Sequence, residues 1–423
     1  MAWLVHRDEL TAEQSRAVEL NPREHRLILG SPGSGKTIVL LHRARHLADE
    51  YAVPAPRYRI MVFTRTLKAY IRSALHDLDL PDDCVTTFAA WCLDFYHKYI
   101  DKHTPWDAVN KQMDYEAVYE AVWVKTRDLS VADRPYDFVM VDEGQDLDRR
   151  AFEILKAVAQ HVTVFMDHKQ QLYENGADEQ GILQALGLKR RNLSLLQSYR
   201  CSPYIVQVAA SFVRDPVERE NFIRQHPLVN AAKQTPLLYF AHDASDERDH
   251  LIDMVRNRID KNDRMAILFP TKRHVYGYAQ ALHDAGLEVE VPDAPRARKT
   301  LPTIDFTTSL PKLMPYPSAK GLTFDTVLMP RLISGFFDHL TPEQLERWFF
   351  VGITRATQWV YFSTVNDNRF MFLERFQELE RKKQVAIKMG TDLLSGDPSR
   401  ATIQASAGGG GGPDAAGDLS DLF

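Results

Sequence analysis

The stretch LILGSPGSGKTIVLL, Leu27–Leu41, decides the fold of the chain, because it reads as a strand, a glycine-rich loop and the start of a helix. Within it, Gly30, Gly35, Lys36 and Thr37 complete the spacing G-x-x-x-x-G-K-T. Glycines let such a loop curl so that backbone N–H groups point at a phosphate chain, while the lysine neutralises the outer phosphates and the hydroxyl faces a magnesium ion. The pattern predicts the phosphate loop of an ATP site, although a chance glycine turn is the simpler alternative.

A second signal lies about a hundred residues further on, in YDFVMVDEGQD, Tyr136–Asp146. Four apolar β-formers end in Asp142 and Glu143, so a buried strand delivers two carboxylates at its tip. Hydrolysis of a magnesium nucleotide needs this pair, one to hold the metal and one to orient and deprotonate the attacking water. An isolated Asp-Glu pair is common, but one that follows a phosphate loop indicates a nucleotide hydrolase.

The overall composition sets limits on the class of protein. The 423 residues are enough for two domains and a tail, and 44% hydrophobic and 26% charged residues are typical of a soluble globular chain. No apolar run reaches membrane-spanning length, and MAWLVHRDEL at the N-terminus is charged where a signal peptide needs an apolar core. We therefore expect a cytoplasmic protein without a membrane contact. Cys84, Cys92 and Cys201 lack paired C-x-x-C spacing, which argues against disulfides and zinc.

Gln14 has two interpretations. It lies three residues after Thr11, as in a capping box at a helix start. A glutamine amide about one short helix before a phosphate loop can also donate to and accept from the adenine edge.

Polar and aromatic residues follow two further predicted strands. Thr64 ends the predicted strand Arg59–Thr64 and Arg65 follows it, and Thr87 and Phe88 follow a shorter predicted strand. Because open α/β sheets bind ligands at the carboxyl ends of their strands, these residues are candidates for contacts to single-stranded nucleic acid. The alternative places Phe88 in the core of an amphipathic helix running to about residue 100.

Two arginines far from the phosphate loop are candidates for stabilising charge on the transferred phosphoryl group. Arg200 follows a predicted strand in LSLLQSYR, and Arg355 lies in VGITRA. Taken singly, each is better interpreted as a surface arginine. The net charge of −5 argues against coating of nucleic acid by bulk electrostatics, while leaving a local basic groove open.

Nine short stretches follow one another along the chain, in the order LTAEQ, GSPGSGKT, VFTRTLKAYI, TFAAW, VDEGQD, MDHKQQLY, QSYR, SAKGLTFD and VGITRA. In their order and spacing they resemble the UvrD/Rep-type helicases of superfamily 1, over most of the chain. The resemblance implies an α/β protein with two RecA-like domains that close on ATP and Mg2+, with single-stranded DNA running across both. The resemblance also implies that the protein moves along single-stranded DNA from 3′ to 5′.

The resemblance also implies roles for individual residues. Gln170 would couple the γ-phosphate to the strand-binding face, and Tyr199 would lie against the base. By function, the implied residues are Lys36, Glu143, Gln170, Arg200 and Arg355 for catalysis; Gln14, Gly33, Ser34, Gly35, Lys36, Thr37, Tyr199 and Gly321 for the nucleotide; Thr37 and Asp142 for the metal; and Thr64, Arg65, Thr87, Phe88, Tyr173, Ser318 and Lys320 for DNA.

Several positions depart from the family pattern, chiefly on the strand-binding side. Ala89 stands where the family has histidine, Thr323 where it has glutamate, and Met166 where it has glycine. Pro315 and Pro317 replace a threonine and a histidine ahead of SAKG. The ATP chemistry is therefore expected to be intact and the strand contacts altered.

The chain is shorter than the full-length helicases that it resembles. We expect a first RecA-like domain over residues 1–190 with a short helical insert at about 101–133, a second over 191–380 and a flexible tail over 381–423. Full-length relatives carry a large insert in each domain, so we expect a monomeric translocase that unwinds weakly unless a partner assists.

From Ala405 to Phe423 the tail is a glycine linker that ends in an acidic, apolar tip. It is either without a role, a ligand for a protein partner through Leu419, Asp421, Leu422 and Phe423, or a decoy for the protein's own DNA groove. For the whole chain, the alternative to a DNA motor is an ATPase switch that remodels or signals to a protein. RNA as the track is a weaker third option, because no reader of the 2′-hydroxyl is evident.

Overall fold

The computed structural model describes residues 3–109, 111–167, 176–195, 201–226, 234–292, 301–365 and 370–390. In these ranges the chain forms two six-stranded sheets, each parallel throughout and flanked by helices. The fold is α/β with two RecA-like units. We call the part within residues 3–195 the first lobe and the part within residues 201–390 the second lobe.

The first lobe has a sheet in the order β3-β2-β6-β7-β1-β8 and a separate antiparallel ribbon, β4-β5. Its strands are β1 (Arg26–Gly30), β2 (Tyr58–Val62), β3 (Val85–Thr87), β4 (Trp106–Asp107), β5 (Gln112–Met113), β6 (Tyr136–Val141), β7 (Ala159–Met166) and β8 (Leu193–Leu195). Its α-helices are α1 (Ala12–Val18), α2 (Lys36–Glu50), α3 (Arg65–Leu75), α4 (Phe88–Tyr99), α5 (Tyr115–Thr126), α6 (Arg149–Val158) and α7 (Glu179–Leu186).

The second lobe has a sheet in the order β11-β10-β12-β13-β9-β14. Its strands are β9 (Leu237–Ala241), β10 (Met265–Phe269), β11 (Lys312–Pro315), β12 (Phe324–Met329), β13 (Ala356–Val365) and β14 (Ala386–Met389). Its α-helices are α8 (Pro203–Ala210), α9 (Pro216–Arg224), α10 (Ala244–Asp260), α11 (Lys272–Asp284), α12 (Pro342–Ile353) and α13 (Leu373–Arg381).

Both sheets are buried on their two faces, which explains why their strands are near-continuous apolar runs. β6 and β10, for example, are buried along almost their whole length. One apolar cluster packs α4, α5, α6 and α7 against the first sheet. A second cluster packs α2 and α3 against the opposite face and continues into α8 and α12 of the second lobe. The two lobes therefore share buried apolar surface.

Three elements differ from the sequence expectation. β8 pairs with β1 in the first sheet, beyond the expected domain end at 190. β14 pairs with β9 in the second sheet, although its residues were expected to belong to the tail. The expected helical insert contains the ribbon β4-β5 ahead of α5. The strand in LSLLQSYR was predicted, but the sheet that it joins depends on a partner strand far away along the chain. Strands as short as β4, β5 and β14 carry too little periodicity to be recognised from the sequence.

Within the described ranges, no helix combines the length and the apolar character that crossing a bilayer requires.

Candidate nucleotide site

The phosphate loop follows β1 and ends at the first residue of α2, as the glycine pattern predicts. Gly33 and Gly35 have φ angles of 77° and 82°, in the left-handed region that favours glycine. A Cβ on Gly30 would lie 2.5 Å from Ser34 Oγ and 2.7 Å from Lys36 Cγ, so a side chain there would displace the loop. The loop therefore presents the N-terminus of α2, which favours an anion.

Lys36 is held over the loop by three partners in the first lobe. Its Nζ donates to the carbonyl oxygens of Gly30, at 2.9 Å, and Ser31, at 3.2 Å. It also forms an ion pair at 3.4 Å with Asp167, and both side chains are buried. Asp167 directly follows β7, so it is a charged group at a strand tip that the sequence analysis did not select. An incoming triphosphate would share Lys36 with this carboxylate.

Asp142 and Glu143 lie at the end of β6, beside the start of α2, with 1% and 3% of their surface exposed. Thr37 Oγ1 donates to Asp142 Oδ2 at 2.7 Å. Burial, and then the neighbouring Glu143, raise the pKa of the Asp142 carboxyl. Because burial and a like charge both disfavour the anion here, this pair is suited to a cation.

The residues present fit a magnesium ion of the kind that accompanies a nucleotide. The described residues contain no group of three or more His, Cys, Asp or Glu side chains arranged to hold a metal. Nucleotide-bound magnesium does not need one, because one carboxylate, one hydroxyl, water and phosphate oxygens suffice. Thr37 and Asp142 supply the protein's share of that set.

Gln145 connects the tips of β6 and β7 and was missed by the sequence analysis. Its Nε2 donates to Glu143 Oε2, and its Oε1 accepts from the backbone N–H of Asp167 at 2.9 Å. Gln145 is fully buried, while Glu143 has a φ of 53°, an unusual angle for a side-chain residue. The Gln145 amide therefore fixes the position of the Glu143 carboxylate relative to Asp167, the ion-pair partner of Lys36. The only sequence signal was its position two residues after Glu143.

Gln14 performs the capping role and also contacts the phosphate loop. Thr11 and Gln14 form a capping box at the start of α1, with Gln14 Oε1 accepting from the Thr11 N–H at 3.0 Å. Gln14 Nε2 donates to the Ser34 carbonyl oxygen at 3.0 Å. Buried Arg43 fixes the other end of α1 by donating to the carbonyl oxygens of Val18 and Leu20, at 2.8 and 2.6 Å. One helix thus braces the loop.

The second lobe forms the opposite wall of a cavity over the phosphate loop. Arg355 is 5% exposed and its guanidinium donates to the Val351 carbonyl at 2.9 Å and to Thr354 Oγ1 at 3.0 Å. Gly321 has a φ of 77°, and a Cβ there would lie 2.9 Å from Leu67 and 3.5 Å from Glu143 Oε1. Residues of both lobes line the cavity, including Lys36, Thr37, Glu143, Gly321, Thr354 and Arg355.

Several residues assigned to DNA are occupied in other roles. Thr64 and Thr87 cap α3 and α4, accepting from the N–H groups of Leu67 and Ala90, and are 4% and 3% exposed. Phe88 is 4% exposed and packs in the core beside Trp91. This is the core position that the alternative interpretation gave it, and the assignment of Phe88 to DNA stays a prediction. Arg65, by contrast, is exposed at the start of α3.

Lys320 and Ser318 are likewise buried, at 3% and 6% exposure. Lys320 Nζ forms an ion pair with Asp146 Oδ1 at 2.6 Å, joining the second lobe to the segment that follows Glu143. Burial raises the pKa of Asp146 to about 6, although Lys320 opposes the rise. In this arrangement Lys320 joins the lobes, and its assignment to DNA stays a prediction.

Four assigned residues, Gln170, Tyr173, Tyr199 and Arg200, lie outside the described residues, as does the part of the tail from residue 391 onwards with its tip.

One comparison with known proteins covers the part of the chain that contains the phosphate loop. A family model described as an AAA domain matches residues 14–176, a span that includes Gln14, the phosphate loop, Asp142 and Glu143. No curated protein matches the sequence. A solved structure, the C-terminal domain of a possible DNA helicase from Lactobacillus plantarum WCFS1, is similar at 16% identity and a TM-score of 0.30, over 40% of this chain and 88% of that domain. That likeness adds nothing to what the sheet topology establishes. The family match covers less than half of the chain. It shows that residues 14–176, within the first lobe, are similar to that family, and it does not include the second lobe.

Proposed function

We propose that this chain hydrolyses ATP between its two lobes and uses the closure to move along single-stranded DNA. One observation carries the hydrolase part: Lys36 and Glu143 of the first lobe line the same cavity as Arg355 of the second. A lysine, a carboxylate and an arginine from the facing lobe are the groups that phosphoryl transfer requires around the terminal phosphate. The similarity of residues 14–176 to the AAA-domain family supports the assignment.

Each side chain has a task that follows from its position. Lys36 neutralises the outer phosphates, and Glu143, oriented by Gln145, accepts a proton from the attacking water. Arg355 stabilises the charge that develops on the transferred group. Thr37 and Asp142 would hold magnesium, which supplies charge neutralisation on the phosphates when bound. Gln170 and Arg200, and Tyr199 at the base, are proposed on the resemblance alone.

Two substitutions test the hydrolase assignment. Lys36→Ala should lower turnover by about a thousandfold, since it removes the charge that faces the phosphates. Glu143→Gln should retain ATP binding while lowering turnover by about a hundredfold or more, since the amide accepts no proton. Steady-state phosphate release and fluorescent-nucleotide binding measure both. Glu343→Gln, at an exposed position on α12, is the matched control. Normal turnover in either site variant would exclude the assignment.

The motor part rests on the ordered motifs that resemble UvrD/Rep-type helicases. Single-stranded DNA should raise ATP turnover, and a short duplex with a 3′ overhang should be displaced slowly and in preference to one with a 5′ overhang. Displacement only from the 5′ overhang would reverse the proposed polarity. We further propose a monomer that acts with a protein partner bound to Leu419, Asp421, Leu422 and Phe423.

A second candidate, an ATPase switch acting on a protein, is favoured by a specific observation. Phe88 lies in the core and Lys320 pairs with Asp146, so two of the residues assigned to DNA serve the fold and the lobe contact. If saturating single-stranded DNA leaves ATP turnover unchanged, the switch replaces the motor.

A further inference from the structure

The N-terminal segment places an aromatic ring at the cleft between the lobes. Trp3 stacks on Tyr70 of α3 with ring centroids 4.2 Å apart and planes inclined by 15°. The indole N–H donates to Ser73 Oγ at 3.2 Å. The segment is tied down by His42 Nε2, which lies 3.0 Å from the Val5 carbonyl oxygen. Trp3 is therefore held in one orientation by α2 and α3.

Two neighbouring cavities meet at this aromatic pair. The cavity that contains Lys36, Glu143 and Arg355 is also lined by Trp3 and Tyr70. A second cavity shares Trp3 and Tyr70 with it and extends towards Phe306 of the second lobe. Phe306 meets Tyr70 edge to face at 5.1 Å. The phosphate-binding cavity thus continues into a chamber with aromatic walls.

The charges around the second cavity are matched by carboxylates of the same lobe. Arg264 makes a two-bond contact with Asp325, each bond 2.9 Å long. Lys312 forms an ion pair with Glu290 at 2.6 Å, and both side chains are buried. Among the described residues, the chamber therefore offers ring faces and the hydroxyl group of Ser309, and the two cations that line it are each paired with a carboxylate. This lining suits the uncharged, planar end of a nucleotide better than a second phosphate.

We propose that Trp3 and Tyr70 form the nucleoside contact of the ATP site, with the base or sugar packed against the indole. The inference rests on the proposed function, since it takes Lys36 and the phosphate loop as the triphosphate site. An aromatic ring can stack on any base. The loss of such stacking weakens binding by roughly five- to 140-fold. Trp3 therefore contributes affinity for nucleotides and little preference among bases.

The test separates the nucleoside from the phosphates by using two ligands. ATP and inorganic tripolyphosphate are titrated, each with magnesium, against the full chain and against Trp3→Ala and Trp3→Phe. We expect Trp3→Ala to weaken ATP about tenfold and to leave tripolyphosphate unchanged, and Trp3→Phe to recover most of the loss. The matched control is Trp106→Ala on the ribbon β4-β5, where the tryptophan is 65% exposed.

Three results would overturn the inference. Unchanged ATP affinity in Trp3→Ala removes the nucleoside contact, and equal weakening of both ligands shows that Trp3 only supports the cleft. If the unmodified chain binds tripolyphosphate as tightly as ATP, the nucleoside contact fails while the phosphate site stands. If it binds neither ligand, the proposed function itself fails. Thermal unfolding of each variant shows whether a loss of binding reflects a loss of folding.

Discussion

The residues assigned to the nucleotide and those assigned to DNA behave differently in the folded chain. Lys36, Thr37, Glu143 and Arg355 come from distant parts of the sequence and line one cavity. Thr87, Phe88 and Lys320 are instead a helix cap, a core ring and half of an ion pair. The difference shows which sequence motifs determine the backbone geometry of the site that they form. A glycine loop that ends at the N-terminus of a helix directs backbone N–H groups at one place, whereas a threonine, a phenylalanine or a lysine can serve many different roles.

The largest expected effect on folding is that of Phe88→Ala. Removing a ring that is 4% exposed should lower the free energy of unfolding by about 3 to 5 kcal/mol, since a cavity replaces its contacts with Trp91 and Tyr119. Denaturant unfolding measures this loss. Stimulation of ATP turnover by DNA, expressed per folded molecule, should stay the same. Unchanged stability with lost stimulation would return Phe88 to the DNA surface, and Trp106→Ala serves as the exposed control.

The Asp146–Lys320 pair gives an intermediate effect that depends on pH. Burial raises the pKa of Asp146 from 3.8 to about 6, so between these values the folded chain holds a proton that the unfolded chain has lost. The free energy of unfolding contributed by this group is therefore greatest below pH 4 and is lost as the pH rises to about 6. The full change amounts to at most about 3 kcal/mol.

Asp146→Asn should remove this part of the pH dependence. Unfolding measured from pH 4 to pH 7 should show a shallower decline than in the unmodified chain, even if the variant is less stable overall because Lys320 loses its charged partner. Asp128→Asn, at an exposed position after α5, should keep the original slope. An identical slope in both variants would mean that Asp146 is solvated and that the lobes do not meet there.

How far the sequence could predict the structure depends on where each side chain finds its partner. The phosphate loop, Asp142-Glu143 and the parallel sheets follow from local patterns in which strand, turn and helix succeed one another. Asp167 and Gln145 could not be selected in this way, because Asp167 pairs with the first residue of α2 and Gln145 bonds to the residue after β7, and both partners lie far away along the chain. Lys320 was recognised as part of a motif, but its partner lies in the other lobe, 174 positions away along the chain.

The smallest expected effect belongs to Arg65, the one assigned DNA residue among those described that is exposed at the edge of the first sheet where ligands are expected. A single phosphate contact on single-stranded DNA should contribute about 0.7 to the slope of log affinity against log salt concentration. Arg65→Ala should therefore weaken binding only a few-fold at moderate salt and reduce that slope by about this amount. Arg23→Ala, an exposed site ahead of β1 at the opposite sheet edge, should leave the slope unchanged. If both variants and the unmodified chain share one slope, the DNA does not contact the start of α3. None of the described residues assigned to DNA would then have support as a DNA contact, in contrast to the residues assigned to the nucleotide.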